Sequence, residues 1–509
     1  MSTLFRGVHL LELNEGGSMS PPTDVLVDGD RIVAVGPQGG AAASPAARIV
    51  DGHGKLLMPG LINAHFHSSV NHMKGRLDSL PLEIFMLYES PALEALRPTP
   101  REAYVRTQLA CAEMLRSGVT AVQDDAFFVP HPTPDIIDAV MQAYADCGIR
   151  ATLALDEPNV AELDKLPFLA DLLPTELRAQ LAAPRPFGAP DLLDAYRHLI
   201  GRWHGAEHGR LRAAVSCSAP QRVSIDYFHA LDELSRSHDL PFYAHMLETK
   251  LQRVLGDERF GGRSLIRYVA EQGLLSARMN IIHAIWVDDD DLDLIAAAGA
   301  VIAHNPISNL RLGSGVMPFR RIRDRGIPIC LGTDEAIADD AVNMWAVAKM
   351  AGLIHNITTP NYELWPRAHE ILDCLLRGGA RAMHRPDELG AIEPGRMADL
   401  TLIDLDTLAF TPLNGLHRQL VYCENGGSVV ATMVAGRMVF TGGCLTTVDE
   451  TALRAEAREL FARRRNSLEQ AAGSAQRWLP YYRAMYAKAA GREVGMNRWV
   501  GSAALENRD

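Results

Sequence analysis

The sequence predicts an α/β fold: a (β/α)8 TIM-like barrel over residues 59–394, a small composite β-sandwich from residues 1–58 and 395–450, and a C-terminal helical extension over 451–509. Three observations predict it. Short, near-continuously apolar runs alternate eight times with helix-length segments, as parallel strands buried on both faces should. The two chain ends share another texture, of alternating strands and glycine turns. Neither GxGxxG nor GxxxxGK[ST] occurs, so the phosphate-binding turn of a doubly wound open sheet is missing.

Taken in order, VHLLEL, DVLVDGDRIVAVG and ARIVDGHGKLLMPG read as strands broken at Asp-Gly and Gly-rich turns. That texture returns only in RMADLTLIDLD (396–406) and SVVATMVAGRMVFTGG (428–443), so both ends are expected to share one sheet. The eight barrel runs are GLINAH (60–65), VTAVQD (119–124), RATLAL (150–155), RAAVSC (212–217), PFYAHM (241–246), NIIHA (280–284), AVIAHN (300–305) and PICLGTD (328–334). The final segment opens with the helical TALRAEARELFARRRNSLEQ and carries Trp478, Tyr481, Tyr482 and Tyr486, which read as packing or subunit contact.

With 509 residues, 47% hydrophobic and 22% charged, the chain builds a large core in two to three structural units. A net charge of −12 without a long basic run excludes nucleic acid and anionic membranes as partners. The longest apolar stretch, Leu294–Ala303, is about half of the roughly 20 residues needed to span a bilayer. The N-terminal MSTLFRGVHLLELNEGG lacks the order of a signal peptide. The seven scattered cysteines contain no CxxC pair. A cytoplasmic protein with free thiols is expected.

Several runs end in a polar residue: His65, Asp124, His245, His283, His304 and Asp334. Barrel enzymes build their sites at these C-terminal strand ends. His65 and His67 stand two apart on one strand, so both face the same way and are able to share a metal ion. Nitrogen and oxygen donors without thiolate suit Zn2+, with Fe2+ or Mn2+ as substitutes. The fourth run ends in SCSAP (216–220), with no lysine to bridge a pair of ions, so one metal per subunit is expected.

The segments PGLINAHFH (59–67), AHMLE (244–248), IIHA (281–284), AHNPISNLRLGSGVMP (303–318), LGTDEA (331–336) and GRMADLTLID (395–404) together resemble the amidohydrolase superfamily. Within it they resemble the ATZ/TRZ-like branch of cyclic-amidine aminohydrolases and triazine hydrolases. The resemblance implies His65, His67, His245 and Asp334 as metal ligands and His283 beside the metal's water. It also implies catalytic roles for Glu248, His283 and Asp334: Asp334 accepts a proton, His283 holds the developing oxygen, and Glu248 in its HxxE pattern carries a proton to the ring nitrogen and the departing amine. Glu335 departs from the glycine common at its position.

The implied activity is metal-dependent hydrolysis of non-peptide C–N bonds in cyclic amidines, as deamination of an amino-substituted N-heterocycle with release of ammonia. The alternative is hydrolysis of a C–N (amine, urea, amide) or C–Cl bond of a triazine- or aryl-urea-type substrate. An inactive scaffolding barrel is a third reading, opposed by the intact ligand set. A small heterocyclic substrate and a homo-oligomer, dimer or higher, are the expected partners. His304 and Asn305 are read as supports holding Ser308, Asn309 and Leu310 under the site. His72, Lys74, Phe85 and Tyr88 are read either as a lid that stacks on a planar ring or as loop packing. Asp124, Asp125, Phe127, Phe128, Asp156, Glu157 and Gln221 are further pocket candidates.

Overall fold

The computed structural model describes residues 2–89, 94–185 and 187–500, so Met1 and the last nine residues of the 451–509 extension lie outside the described residues. The N-terminal strands are β1 (Thr3–Leu10), β2 (Thr23–Asp28), β3 (Arg31–Val35), β4 (Arg48–Asp51) and β5 (Lys55–Pro59). The barrel strands are β6 (Leu61–His67), β7 (Val119–Ala126), β8 (Arg150–Leu155), β9 (Leu211–Ala213), β10 (Val215–Ser216), β11 (Phe242–Met246), β12 (Met279–His283), β13 (Val301–His304), β14 (Ile329–Leu331) and β15 (Asp334–Glu335). Four more follow: β16 (Leu400–Asp404), β17 (Val429–Val434), β18 (Arg437–Thr441) and β19 (Cys444–Leu445).

Ten barrel segments make eight strands. β9 and β10 are one strand broken at Ala214, whose N–H still donates to the Leu153 carbonyl at 2.8 Å. β14 and β15 are likewise one strand broken at Gly332 and Thr333. Parallel pairing runs from β6 through β14, and β15 closes the ring on β6 with Asp334 opposite Phe66 and Glu335 opposite His67. The seam is pinned by side chains: Thr333 N–H donates to Asn63 Oδ1 at 3.0 Å, and Asn63 Nδ2 donates to Thr333 Oγ1 at 2.8 Å. Gly332 is required there, because a Cβ would stand 2.6 Å from the His65 carbonyl oxygen.

Inside the ring small side chains, among them Ala121, Ala154, Ala214 and Ala303, alternate with larger ones such as Tyr243, Ile282 and Val301. Others, such as Phe66, Leu153, Phe242 and Ile302, face the surrounding helices. This is the layered packing a closed eight-strand ring demands. Below it, strands of both chain ends form one sheet in the order β19-β18-β17-β16-β5-β1-β2-β3, with β4 on β1. Only Gly60 separates β5 from β6, and a Cβ there would lie 2.1 Å from Thr120 Oγ1. The sheet is thereby held against the N-terminal end of the barrel, leaving the C-terminal end for the site.

Helix Glu450–Ala475 climbs the barrel flank antiparallel to helix Pro100–Arg116, and helix Leu479–Ala490 lies over that C-terminal end. Lys250 Nζ donates to the Ala490 carbonyl at 2.7 Å, Arg498 Nε to the Ile285 carbonyl at 2.9 Å, and Trp499 Nε1 to the Gly313 carbonyl at 2.8 Å. Among the described residues no helix is long and apolar enough to cross a membrane.

Candidate active site

Each strand end is shaped to present one side chain. In β6 the register against β7 shifts between Asn63 and Phe66, an irregularity of the kind that re-aims side chains at a barrel rim. His65 and His67 both project into the mouth. β11 brings His245, whose Nδ1–H donates to the Ser218 carbonyl at 2.8 Å. β12 ends at His283 with φ 75°, and β15 begins at Asp334 with φ 62°. Both lie in the left-handed region that side-chain-bearing residues rarely adopt, at a cost of order 1–3 kcal/mol each, a form of strain that gathers at functional sites.

The side chains then meet. His65 Nε2 and His67 Nε2 each lie 3.4 Å from Asp334 Oδ1. Donor atoms of His65, His67 and His245 fall within 4.8 Å of one another, as do those of His65, His283 and Asp334. His283 Nε2 stands 3.5 Å from Glu248 Oε2 and 3.8 Å from Asp334 Oδ2. Behind this layer, Ser308 Oγ donates to Asp334 Oδ2 at 2.7 Å, and Asn309 Oδ1 lies 2.8 Å from His283 Nδ1. Ser314 Oγ donates to Glu248 Oε1 at 3.4 Å.

These residues fit a metal ion. His65 Nε2 is fully buried without a hydrogen-bond partner, a costly condition unless a cation completes it. The Nδ1 atoms of His67 and His245 are engaged by the carbonyls of Asp125 and Ser218, which leaves both Nε2 atoms as donors, the outer-partner arrangement usual for ligating imidazoles. Ligands about 2.1 Å from a tetrahedral ion stand roughly 3.4 Å apart, the separation found between each of His65 and His67 and Asp334 Oδ1.

The electrostatics favour ligation at two of the three imidazoles, while at His67 a cation must displace a proton. Burial presses His65 down to about 4 and His245 well below the ordinary imidazole range, so both are neutral, the form that ligates. Burial opposes charge on His67 as well, yet its contact with Asp334 and the nearby Asp156 and Asp125 carboxylates hold it up at about 10. Asp334 is kept well below the usual carboxylate range, since His65 and His67 outweigh its burial. Glu248 moves the other way, raised by burial against the favourable charge of His283.

The cluster forms the floor of a cavity of about 510 Å3. Phe127, Phe128, Asp156, Glu157 and Gln221 line it, as read from the sequence. Asp124 does not: it accepts from Ser68 N–H at 2.9 Å and from Tyr144 Oη–H at 2.8 Å, below the mouth. Asp125 is buried beneath the floor, where it accepts from Ser216 Oγ at 3.1 Å.

The lid reading of the first loop is corrected. His72 stacks on Phe461 at 4.6 Å between ring centres, and burial lowers it to about 3. Lys74 is ion-paired with Glu113, Phe85 is buried in an apolar cluster with Val70, Met73 and Ile337, and the Tyr88 hydroxyl accepts from Gln476 Nε2 at 3.3 Å. None of the four lines the cavity; their apolar surface is consumed by the C-terminal helix and the loops beside it. Ser308 and Asn309 do lie under the site, but Leu310 is 41% exposed, and His304 turns away to meet His355, Nε2 to Nε2, at 3.2 Å.

Sequence reasoning missed Glu83, named Glu335 only as a departure, and gave Trp478 and Tyr482 another role. Glu83 and Glu335 line the cavity, and Thr249 Oγ1 donates to Glu83 Oε1 at 2.5 Å. A lone carboxylate inside the apolar run PLEIFML was the available signal for Glu83. The third correction concerns the C-terminal aromatics: Trp478 and Tyr482, read as packing or subunit contact, form part of the cavity wall. No local pattern marks them.

Known proteins resemble this chain over most of its length. It is 33% identical over 431 residues to a 5-methylthioadenosine/S-adenosylhomocysteine deaminase of Nitratidesulfovibrio vulgaris, covering 84% of this chain and 90% of that one. It is 27% identical to a 5'-deoxyadenosine deaminase of Methanosarcina mazei, covering 90% and 98%. Its fold matches the crystal structure of a zinc-bound adenosine deaminase from Xanthomonas campestris with a TM-score of 0.78, at 26% identity over 91% and 98% of the two chains. It matches atrazine chlorohydrolase of Arthrobacter aurescens TC1, complexed with zinc, with a TM-score of 0.79, at 26% identity over 90% and 99%. Residues 56–439 match the amidohydrolase family model, and with the closed eight-strand barrel this shows that the chain belongs to the amidohydrolase family.

Proposed function

We propose that the protein is a metal-dependent aminohydrolase that removes the exocyclic amino group of an adenosine-type purine derivative and releases ammonia. The observation that carries the reading is the convergence of His65, His67, His245 and Asp334 beside the Glu248–His283 contact on one cavity floor. Those four residues would hold one Zn2+ per subunit, with Fe2+ or Mn2+ as substitutes. When bound, the ion supplies Lewis acidity that makes water nucleophilic at neutral pH.

The chain's own groups do the rest. Asp334, a carboxylate held ionised and oriented by Ser308, accepts a proton from the attacking water. The water's oxygen bonds to the amino-bearing carbon, and His283, braced by Asn309, stabilises the charge that develops on that oxygen. Glu248 delivers a proton to the adjacent ring nitrogen. Asp334 then passes the proton it accepted to the amino group, the C–N bond breaks with loss of ammonia, and the hydroxyl proton returns to Glu248 as the ring carbonyl forms. Burial raises Glu248, and a raised carboxyl is suited to the role of proton donor.

A second reading keeps this machinery and expels an amine, aniline or chloride from a triazine- or aryl-urea-type substrate. The TM-score of 0.79 to the atrazine chlorohydrolase supports it. The same proposal divides the chain into a composite β-sandwich (1–58 and 395–450), the catalytic barrel (59–394) and the helical extension (451–509), in a cytoplasmic homo-oligomer. Support for a domain shared by both chain ends comes from the pairing of β16 with β5, for the cytoplasm from seven free cysteines, and for the oligomer from the exposed apolar Leu353, Ile357, Tyr362 and Leu364.

Coupled ammonia release from zinc-loaded enzyme tests the proposal. The panel contains adenosine derivatives, aminopterins, aminopyrimidines and aminotriazines beside N-aryl ureas and chlorotriazines. Ammonia from adenosine derivatives supports it. A spectral change in a urea or chlorotriazine without any ammonia replaces it with the second reading.

A further inference from the structure

The strand made of β14 and β15 ends in two acids, Asp334 and Glu335, and a regular β-strand sends successive side chains to opposite faces. By that alternation Glu335 would turn away from the mouth, toward the surrounding helices. The left-handed φ of 62° at Asp334 breaks the alternation, and both residues line the same cavity. The main chain is held in this course from two sides. Glu335 pairs with His67 across the closing seam, and its carbonyl accepts from Ala338 N–H at 3.0 Å and from Asp339 N–H at 2.9 Å. A carboxyl oxygen of Glu335 thereby comes within 4.8 Å of donor atoms of both His67 and Asp334. Glu335 flanks Asp334 on the side of His67, whereas Glu248 stands on the side of His283.

One oxygen of this carboxyl is left without a partner. Glu335 Oε2 is fully buried and makes no hydrogen bond. The charged groups around it, Glu89, Asp334 and Glu248, are carboxyls, which bring oxygen rather than N–H. His67 directs Nδ1 to the Asp125 carbonyl and Nε2 toward Asp334, so neither ring nitrogen is left for Glu335. A buried acceptor without a donor is costly, and what completes it is an N–H or O–H brought from outside. In the proposed reaction Glu248 serves the ring nitrogen; the other polar group on the reacting carbon is the amino group that departs.

We propose that Glu335 is a specificity-determining residue that reads the leaving group: its Oε2 accepts a hydrogen bond from the N–H of a departing amino group and disfavours leaving groups without one, such as chloride or alkoxide. A chlorine or ether oxygen turns lone pairs toward that carboxyl and leaves the acceptor unpaired. The inference rests on the deaminase reading above and deepens it, because it names the side chain that favours amine release over chloride release at one and the same metal site.

The test compares kcat/KM for adenosine with kcat/KM for 6-chloropurine riboside and 6-methoxypurine riboside, in full-length zinc-loaded enzyme and in Glu335→Ala and Glu335→Gln. Where an analogue is not turned over, its inhibition constant against adenosine takes the place of its rate. Metal content is measured in every protein. The intrinsic reactivity of each leaving group is the same throughout and cancels when ratios are compared between proteins, as does partial unfolding. Glu335→Ala is expected to lower the preference for the amino compound over both analogues at least about tenfold, the scale of one lost hydrogen bond, while keeping its ion. Glu335→Gln still offers an amide oxygen and should keep most of the preference. Unchanged ratios in Glu335→Ala while adenosine is still deaminated overturn this inference alone. So does loss of the ion from both variants, which would make Glu335 a metal ligand instead. No ammonia from adenosine or any derivative of it removes the deaminase reading and this inference with it.

Discussion

The two ends of the barrel bury charge in opposite ways. At the closed end Arg150, 2% exposed at the start of β8, meets Asp399 in a two-pronged pair, Nε to Oδ2 at 2.7 Å and Nη2 to Oδ1 at 3.0 Å. Ala435 N–H adds a further bond to Asp399 Oδ1 at 2.8 Å. At the open end His65 and Asp334 are as deeply buried, 1% and 4% exposed, yet their contacts stretch to 3.4 Å and His65 Nε2 has no hydrogen bond. Buried charge with a complete set of partners ties the flanking sheet to the barrel; buried charge with unused donors is poised for a ligand.

The largest test of this contrast is His67→Ala. Metal content measured by plasma spectrometry should drop from one ion per subunit to background, and ammonia release should vanish. Next comes Glu248→Gln, which keeps the metal and loses about 10²–10⁴-fold in kcat. Near-normal turnover in that variant would remove Glu248 from proton transfer and reduce the open end to a metal site alone.

At the closed end Asp399→Asn should leave metal content unchanged and cost about 3–5 kcal/mol in urea unfolding, because Arg150 is left buried without its counter-charge. Loss of metal in this variant would mean that the two ends are not separable. The smallest effect concerns Glu157 on the cavity wall. Burial lifts its carboxyl to about 8, against the pull of Arg185 and a bond from Phe128 N–H. The folded state then keeps a proton that the unfolded carboxyl releases near its ordinary value of about 4.5. Wild-type stability therefore declines as pH rises from about 4.5 to about 8. Glu157→Gln should match the wild type at pH 5 and exceed it at pH 9 by thermal unfolding. Equal pH profiles would place Glu157 among the fully compensated groups.

The amino-acid sequence by itself determined the eight apolar runs, the polar residues ending them and the shared texture of the two chain ends. These are local features, since strand burial writes itself as an apolar run and a barrel puts its chemistry at strand ends. His65, His67, His245, Glu248, His283 and Asp334 were legible for that reason, and the structure brings all six to one floor. Tertiary structure alone decided the rest. The breaks at Ala214 and Gly332 follow from closing the ring, which no single strand encodes. His72, Lys74, Phe85 and Tyr88 face packed neighbours rather than the mouth because the C-terminal helix and the loops beside it occupy their surface. Trp478 and Tyr482 reach the cavity only because the chain returns across the barrel, and their part in its wall depends on packing partners some 300 residues earlier, such as Leu166 and Leu181. Periodicity reports which face of an element is buried; it carries no information on which distant element buries it.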